Sequence, residues 1–226
     1  MKYLAPTVVG MSLLTAISSQ AIPVTVQEVS VSPTEVVSIT SSTLGTASVY
    51  AGVVNLLVDG VATPSVCIDP FHWSLSGPQP YDSEPLSTGP KPPGGPMGTA
   101  AATEIEQLWG QYFSPTMSAS DAAGLQIAIW EIVGGANFTL NQANDYGAGS
   151  MLAWWSQNQA TAPLANLLAV TGPGQDYVIR DSGGVIPNSG GGGDPVPESG
   201  TTILLLGGTL CGLLAVRRKL CVSASP

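Results

Sequence analysis

Both ends of the chain are apolar stretches set beside basic residues, an arrangement that leaves one central segment to build a folded domain. Lys2 precedes a mostly apolar run from Tyr3 to Ile17, followed by Ser18, Ser19, Gln20 and Ala21. A positive start, an apolar middle and small residues at Ser19 and Ala21 have the layout of a secretory signal peptide, residues 1–21, with cleavage expected after Ala21. Pro23 and the Thr/Ser-rich run beyond it favour this over a first core helix. At the other end a Gly-rich linker covers 184–195, and an apolar segment runs from Ile203 to Val216 before Arg217, Arg218 and Lys219. A spanning helix needs about 20 apolar residues, more than this run supplies. Gly207, Gly208 and Gly212 weaken it further as a helix. The basic cluster is expected to stay on the cytoplasmic side, which puts residues 22–183 outside the inner membrane as one secreted body.

Charge narrows the partners of that body. The chain carries a formal net charge of −9, and four of its six basic residues (Lys2, Arg217, Arg218, Lys219) lie in the two ends. Lys91 and Arg180 alone face the acidic residues between them. Clustered Lys and Arg are what neutralise phosphates, so nucleic acid is excluded as a partner.

The body reads as β-rich first and helical in its middle. Val24–Val31 and Glu35–Thr40 alternate apolar and polar residues, the mark of half-buried strands. Ser48–Leu57 and Val61–Ile68 flank Asp59-Gly60, a dipeptide suited to a tight hairpin turn. The stretch from Phe71 to Thr99 is crowded with Pro and Gly and reads as one long loop. Helical spacing of Ile105, Leu108, Trp109 and Tyr112 predicts a helix from Ala100 to Phe113, ended by Ser114-Pro115. Asp121 is expected to cap a second helix from Ala122 to about Val133, before Gly134-Gly135. Gly149–Gln157 and Ala162–Val170 are expected to be a third and a fourth helix, and Tyr177–Arg180 a short strand. The expected fold class is α+β: a β-sandwich or barrel with a helical insertion, flanked by the signal peptide and a transmembrane-like C-terminal tail.

The tail, 196–226, carries more than hydropathy. Val196, Pro197, Glu198, Ser199 and Gly200 form a short motif, followed by the apolar segment at 203–216 and the basic stop of Arg217, Arg218 and Lys219. In that order these elements resemble the PEP-CTERM sorting signal, with Ser199 standing where a Pro is usual. The resemblance implies transient anchoring in the inner membrane and cutting near Pro197-Glu198 by an exosortase-type enzyme, after signal peptidase has acted at the other end. The final location would be secreted or cell-surface. A permanent anchor of the same topology is the alternative.

Conventional catalytic sets are scarce in the body. His72 is the single histidine, so neither a His-pair zinc site nor an H-E-x-x-H motif can be built, and no metal or cofactor is expected. G-x-S-x-G, P-loop and EF-hand patterns do not occur. His72, between Phe71 and Trp73, reads as a packed or surface residue more readily than as part of a Ser-His-Asp set. The chain is not expected to be an enzyme.

Of the three cysteines, Cys211 and Cys221 lie in the tail, so processing leaves Cys67 alone. An unpaired Cys in a secreted protein pairs between molecules or has another fate; otherwise it is a small buried hydrophobe. Gln126 lies on an apolar stripe with Trp130 and Val133, beside the stripe of Leu125, Ile129 and Ile132. A buried amide without partners costs about 1–3 kcal/mol, so something must bond it or consume it. Cys67 at a strand end, with Gln126, Ala128, Ile129 and Trp130 on a helix, resembles the Cys–Gln thioester domains of bacterial surface proteins. Leu125 and Val66 depart from the residues usual before the Gln and the Cys. The resemblance implies that Cys67 displaces ammonia from Gln126 and that the resulting thioester captures an amine-bearing surface target, making the body a covalent adhesin. The alternative is a non-reactive structural matrix protein in which Cys67 and Gln126 are core residues and Gln126 bonds a strand backbone.

Overall fold

The Asp59-Gly60 turn shows how local chemistry sets the frame. In the computed structural model, which describes residues 21–91 and 94–181, Asp59 and Gly60 have φ of 49° and 82°. Two successive positive φ values make a primed turn that matches strand twist, and it joins β2 (Gly45–Val58) to β3 (Val61–Cys67). Asp59 also ties the turn to its neighbour β1 (Ile22–Ser41): its side chain accepts from Thr25 N–H and its backbone N–H donates to Thr25 C=O, both at 2.8 Å.

The protein is mixed α+β, with a large antiparallel sheet and few helices. The sheet is completed by β4 (Gln79–Pro85), β5 (Phe138–Leu140), β6 (Leu167–Thr171) and β7 (Tyr177–Arg180), in the order β2-β3-β7-β6-β4-β1-β5. Because β1 also pairs with β2, the pairing runs in a closed cycle of six strands, with β5 attached to the far end of β1. The β1–β2 ribbon reaches beyond the point where β3 leaves it, at the Val54–Ser65 pair.

Among the described residues three α-helices form a layer: α1 (Gly98–Tyr112), α2 (Ala119–Gly134) and α3 (Ala148–Asn158). In it α2 packs on the ribbon, and α1 and α3 pack on α2. In α1, Ile105, Leu108 and Trp109 are buried, and Trp109 stacks on Phe113 with centroids 4.1 Å apart. The central helix is α2, buried all round from Ala122 to Trp130 and packed on β1 and β2. Gly124 makes this seat possible, since a Cβ there would stand 2.3 Å from the Tyr146 carbonyl oxygen.

Several expectations need correction. The two expected strands at Val24–Val31 and Glu35–Thr40 are one strand, β1, whose register shifts between Glu28 and Ser30 and between Val31 and Thr34. The stretch from Phe71 to Thr99 is not one loop: it contains β4, which has a partner on each side and so becomes a strand despite Pro80 and Pro85. Ser118 caps α2, its Oγ accepting from Asp121 N–H at 3.1 Å and donating to the Asp121 carboxylate at 2.7 Å, so Asp121 sits in the first turn. The expected fourth helix at Ala162–Val170 is not a helix: it is irregular backbone as far as Asn166 and then enters β6, whose apolar run gains ladder partners from β4 and β7. Ile132 is half-buried, so its stripe does not extend as one buried face along α2. The expected signal peptide through residue 20, the linker at 184–195 and the tail at 196–226 lie outside the described residues. Among the described residues no helix is long and apolar enough to cross a membrane.

Candidate functional site around Cys67

Cys67 is the last residue of β3, opposite Tyr177 of β7, and is 2% exposed. Val66 pairs with Val178, and Ile68 N–H donates to the Asp176 carbonyl at 3.0 Å, so these neighbours bond toward β7. The backbone groups of Cys67 itself turn the other way, toward the side β2 has already left. There the Gln126 amide takes the place of a further strand residue. Its Oε1 accepts from Cys67 N–H at 2.9 Å, and its Nε2 donates to Cys67 C=O at 2.6 Å. Both ends of the amide are thereby used, which removes the penalty for burying it.

Gln126 and Trp130 are one helical turn apart and so share a face of α2. Trp130 Nε1–H donates to Cys67 Sγ at 3.4 Å. On its other side the sulfur accepts from Asp69 N–H at 3.2 Å, and the thiol lies 3.2 Å from the Asp69 carbonyl as donor. Gln126, Ala128 and Ile129 are buried in the same helix, and none of the three lines the cleft at Cys67, which Trp130 does. Burial pushes the Cys67 thiol well above its ordinary value, Asp69 and Asp176 push it further, and the Trp130 and Asp69 N–H groups only partly oppose them. The thiol is held as S–H, and its sulfur is a weak nucleophile until a base takes the proton.

The loop after β3 adds two groups that the sequence reading did not assemble. The Asp69 side chain, 3% exposed, accepts from Phe71 N–H at 2.9 Å through one oxygen. Its other oxygen lies 2.6 Å from Nδ1 of His72, whose side chain is 57% exposed. His72 is thus a surface residue as expected, though paired. The spacing Asp-x-x-His directly after Cys67 was the available signal. Asp176 arrives from the turn between β6 and β7, accepts from Gly172 N–H at 3.0 Å, and is pushed up to about 7, mainly by burial. Glu28, from β1, bonds the Tyr177 hydroxyl at 3.0 Å. No local pattern in the sequence announces either acid.

A cleft of about 320 Å³ opens between the β1–β2 ribbon and this loop. Cys67, Trp130, His72, Trp73, Glu28 and Tyr50 are among its walls. A second cleft, of about 800 Å³, lies among the helices at Lys91, Glu104, Gln107, Glu131 and Trp155. Lys91, the body's single lysine, therefore lines a different opening from Cys67. Among the described residues no cluster of His, Cys, Asp and Glu is placed to hold a metal ion. No family model, no curated protein and no solved structure matches this chain.

Proposed function

We propose that the chain is an exported surface or extracellular-matrix protein whose body, 22–183, is a covalent adhesion domain of the Cys–Gln thioester type. The reaction balances simply. The Cys67 sulfur attacks Gln126 Cδ, the C–N bond breaks, and the thiol proton leaves with ammonia. An amine on a target surface later displaces the sulfur and restores the thiol. The observation that carries this reading is the Gln126 amide held on Cys67 by two hydrogen bonds, with Trp130 bonded to the sulfur itself. Trp130 and Asp69 N–H groups suit a sulfur that gains negative charge as its bond breaks.

The finer fold and the processing belong to the same proposal. Of the two sheet forms expected, the cyclic strand pairing favours a barrel, with the helices inserted after β4 and β5. Cleavage after Ala21 leaves the whole of β1 on the body, because β1 starts at Ile22. The sorting role of Val196–Gly200 and of Arg217, Arg218 and Lys219, and processing by signal peptidase and an exosortase-type enzyme, rest on the sequence. A second reading also has an observation in its favour. The bonds that hold Gln126 engage both its oxygen and its nitrogen, as a purely structural amide in a matrix protein would be held.

Intact mass separates the two. A thioester-bearing body weighs one ammonia less than its sequence, gains one methylamine on treatment, and then exposes a thiol that alkylates. Cys67→Ala and Gln126→Ala are each expected to abolish all three effects. Full mass in freshly secreted protein, with Cys67 free to alkylate after unfolding, leaves the structural reading. The same measurement reads the processing, since the secreted form should lack 1–21 and the residues after about Glu198.

A further inference from the structure

We propose that Asp69 and His72 are the proton-transfer pair of the Cys67 cleft, moving the proton from an incoming amine to the departing sulfur; this rests on the thioester reading above. The geometry supplies the parts. Asp69 is anchored beside the sulfur by its backbone N–H, 3.2 Å from Sγ, and its carboxylate is fixed by Phe71 N–H. The remaining carboxylate oxygen holds His72 Nδ1 at 2.6 Å. A carboxylate on Nδ1 favours the proton there, which leaves Nε2 as the open acceptor of a neutral imidazole. His72 and Cys67 line the same cleft, and His72 is exposed at its edge, where an amine entering from solvent arrives.

The chemistry explains why such a pair is needed. Sulfur leaves a thioester faster the more acidic its thiol, and burial together with Asp69 and Asp176 makes this thiol a reluctant acid. Departure as a bare thiolate is therefore costly in this site. In the proposed step the amine nitrogen bonds to Gln126 Cδ and the C–S bond breaks. His72 Nε2 takes a proton from that nitrogen and returns it to Sγ. The products are a substituted Gln126 amide and the Cys67 thiol, and no proton or electron pair is left over. Asp69 steadies the imidazolium between the two transfers.

Three acidic groups face or adjoin this pair: Glu28 from β1, Asp176 from the β6–β7 turn and the Cys67 thiol at the end of β3. The rate of aminolysis should accordingly fall when His72 is replaced.

The test uses the secreted protein and methylamine, followed by intact mass against time from pH 5 to 9. His72→Gln should form the thioester and carry the one-ammonia deficit, yet react about 100-fold more slowly, within the usual range for a positioned acid–base group. Asp69→Asn, which keeps an oxygen for Phe71 N–H, should also be slow because the amide no longer fixes the tautomer. Added imidazole should restore the rate of His72→Gly and leave the wild type unchanged. A His72→Gln protein with the wild-type rate at every pH overturns the pair and leaves the thioester standing. A wild type with no mass deficit before methylamine overturns both, and the starting mass tells the two cases apart.

Discussion

The cleft at Cys67 and the cleft among the helices differ less in size than in what is sealed behind them. The helical cleft is the larger, and its polar groups answer one another at its surface. Trp155 N–H donates to Gln107 Oε1 at 2.7 Å, and Gln107 Nε2 donates to the Gln159 carbonyl at 2.8 Å. Glu104 and Glu131 are pushed up by burial, with Lys91 opposing the rise at Glu104. At Cys67 the opening is smaller, but it ends on a nearly inaccessible sulfur flanked by a buried amide and a buried indole. On the proposed thioester reading, volume alone would select the wrong place. A latent electrophile needs exclusion of water more than it needs room.

The contrast breaks first at Trp130. It is 2% exposed and supports the sulfur, so Trp130→Ala should cost about 3–5 kcal/mol in urea denaturation. Trp155→Ala, at a half-buried position, should cost clearly less; equal losses would mean that the two clefts are packed alike.

Acid titration sharpens the comparison next. Asp176 has a folded-state value of about 7, above the roughly 3.9 of an unfolded aspartate. A raised value means the folded state holds the proton more tightly. The stabilisation is fully present below about pH 4 and is lost as pH rises through about 7. At about 1.4 kcal/mol per unit the loss amounts to a few kcal/mol. Melting curves at pH 4 and pH 8 should show it in the wild type and not in Asp176→Asn, whereas Glu131→Gln in the helical cleft should change the slope less. An Asp176→Asn protein that retains the wild-type slope refutes the assignment to Asp176.

The smallest effect belongs to Trp155→Phe. It removes one N–H bond to Gln107 and should cost about 1 kcal/mol. On the proposed thioester reading the variant should keep the wild-type rate of methylamine uptake, and a changed rate would mean that the clefts are coupled.

What could be read from sequence followed the range of the interaction that decides each element. The β2–β3 hairpin was legible because Asp59 and Gly60 specify the turn by themselves. The second helix is legible from its apolar content, but Asp121 suits a cap by residue type as well as Ser118 does, and only the bonds between them show that Ser118 is the cap. The apolar residues of β6 fit a buried strand as well as a helix, and only pairing with β4 and β7 decides between them. Gln79–Pro85 has the composition of a loop and is a strand because both of its edges are occupied. Around Cys67, the helix motif pointed to Gln126 and Trp130. The acids Glu28 and Asp176 come from distant strands and turns, and nothing within a short window joins them to Cys67.

The irregularities of β1 also bear on how copies of this chain behave when concentrated. Between Gln27 and Val37, β1 has β2 on one side and, among the described residues, no strand on the other. A bare edge of that length is ordinarily a template on which a neighbouring chain can add a strand and begin a fibril. Here the register slips twice within the stretch, and Pro33, lacking an N–H, stands inside the second slip. Neither a continuous run of donors nor a constant pleat is offered to a neighbour. Dense packing of many copies can then proceed through side chains without sheets growing from one molecule into the next.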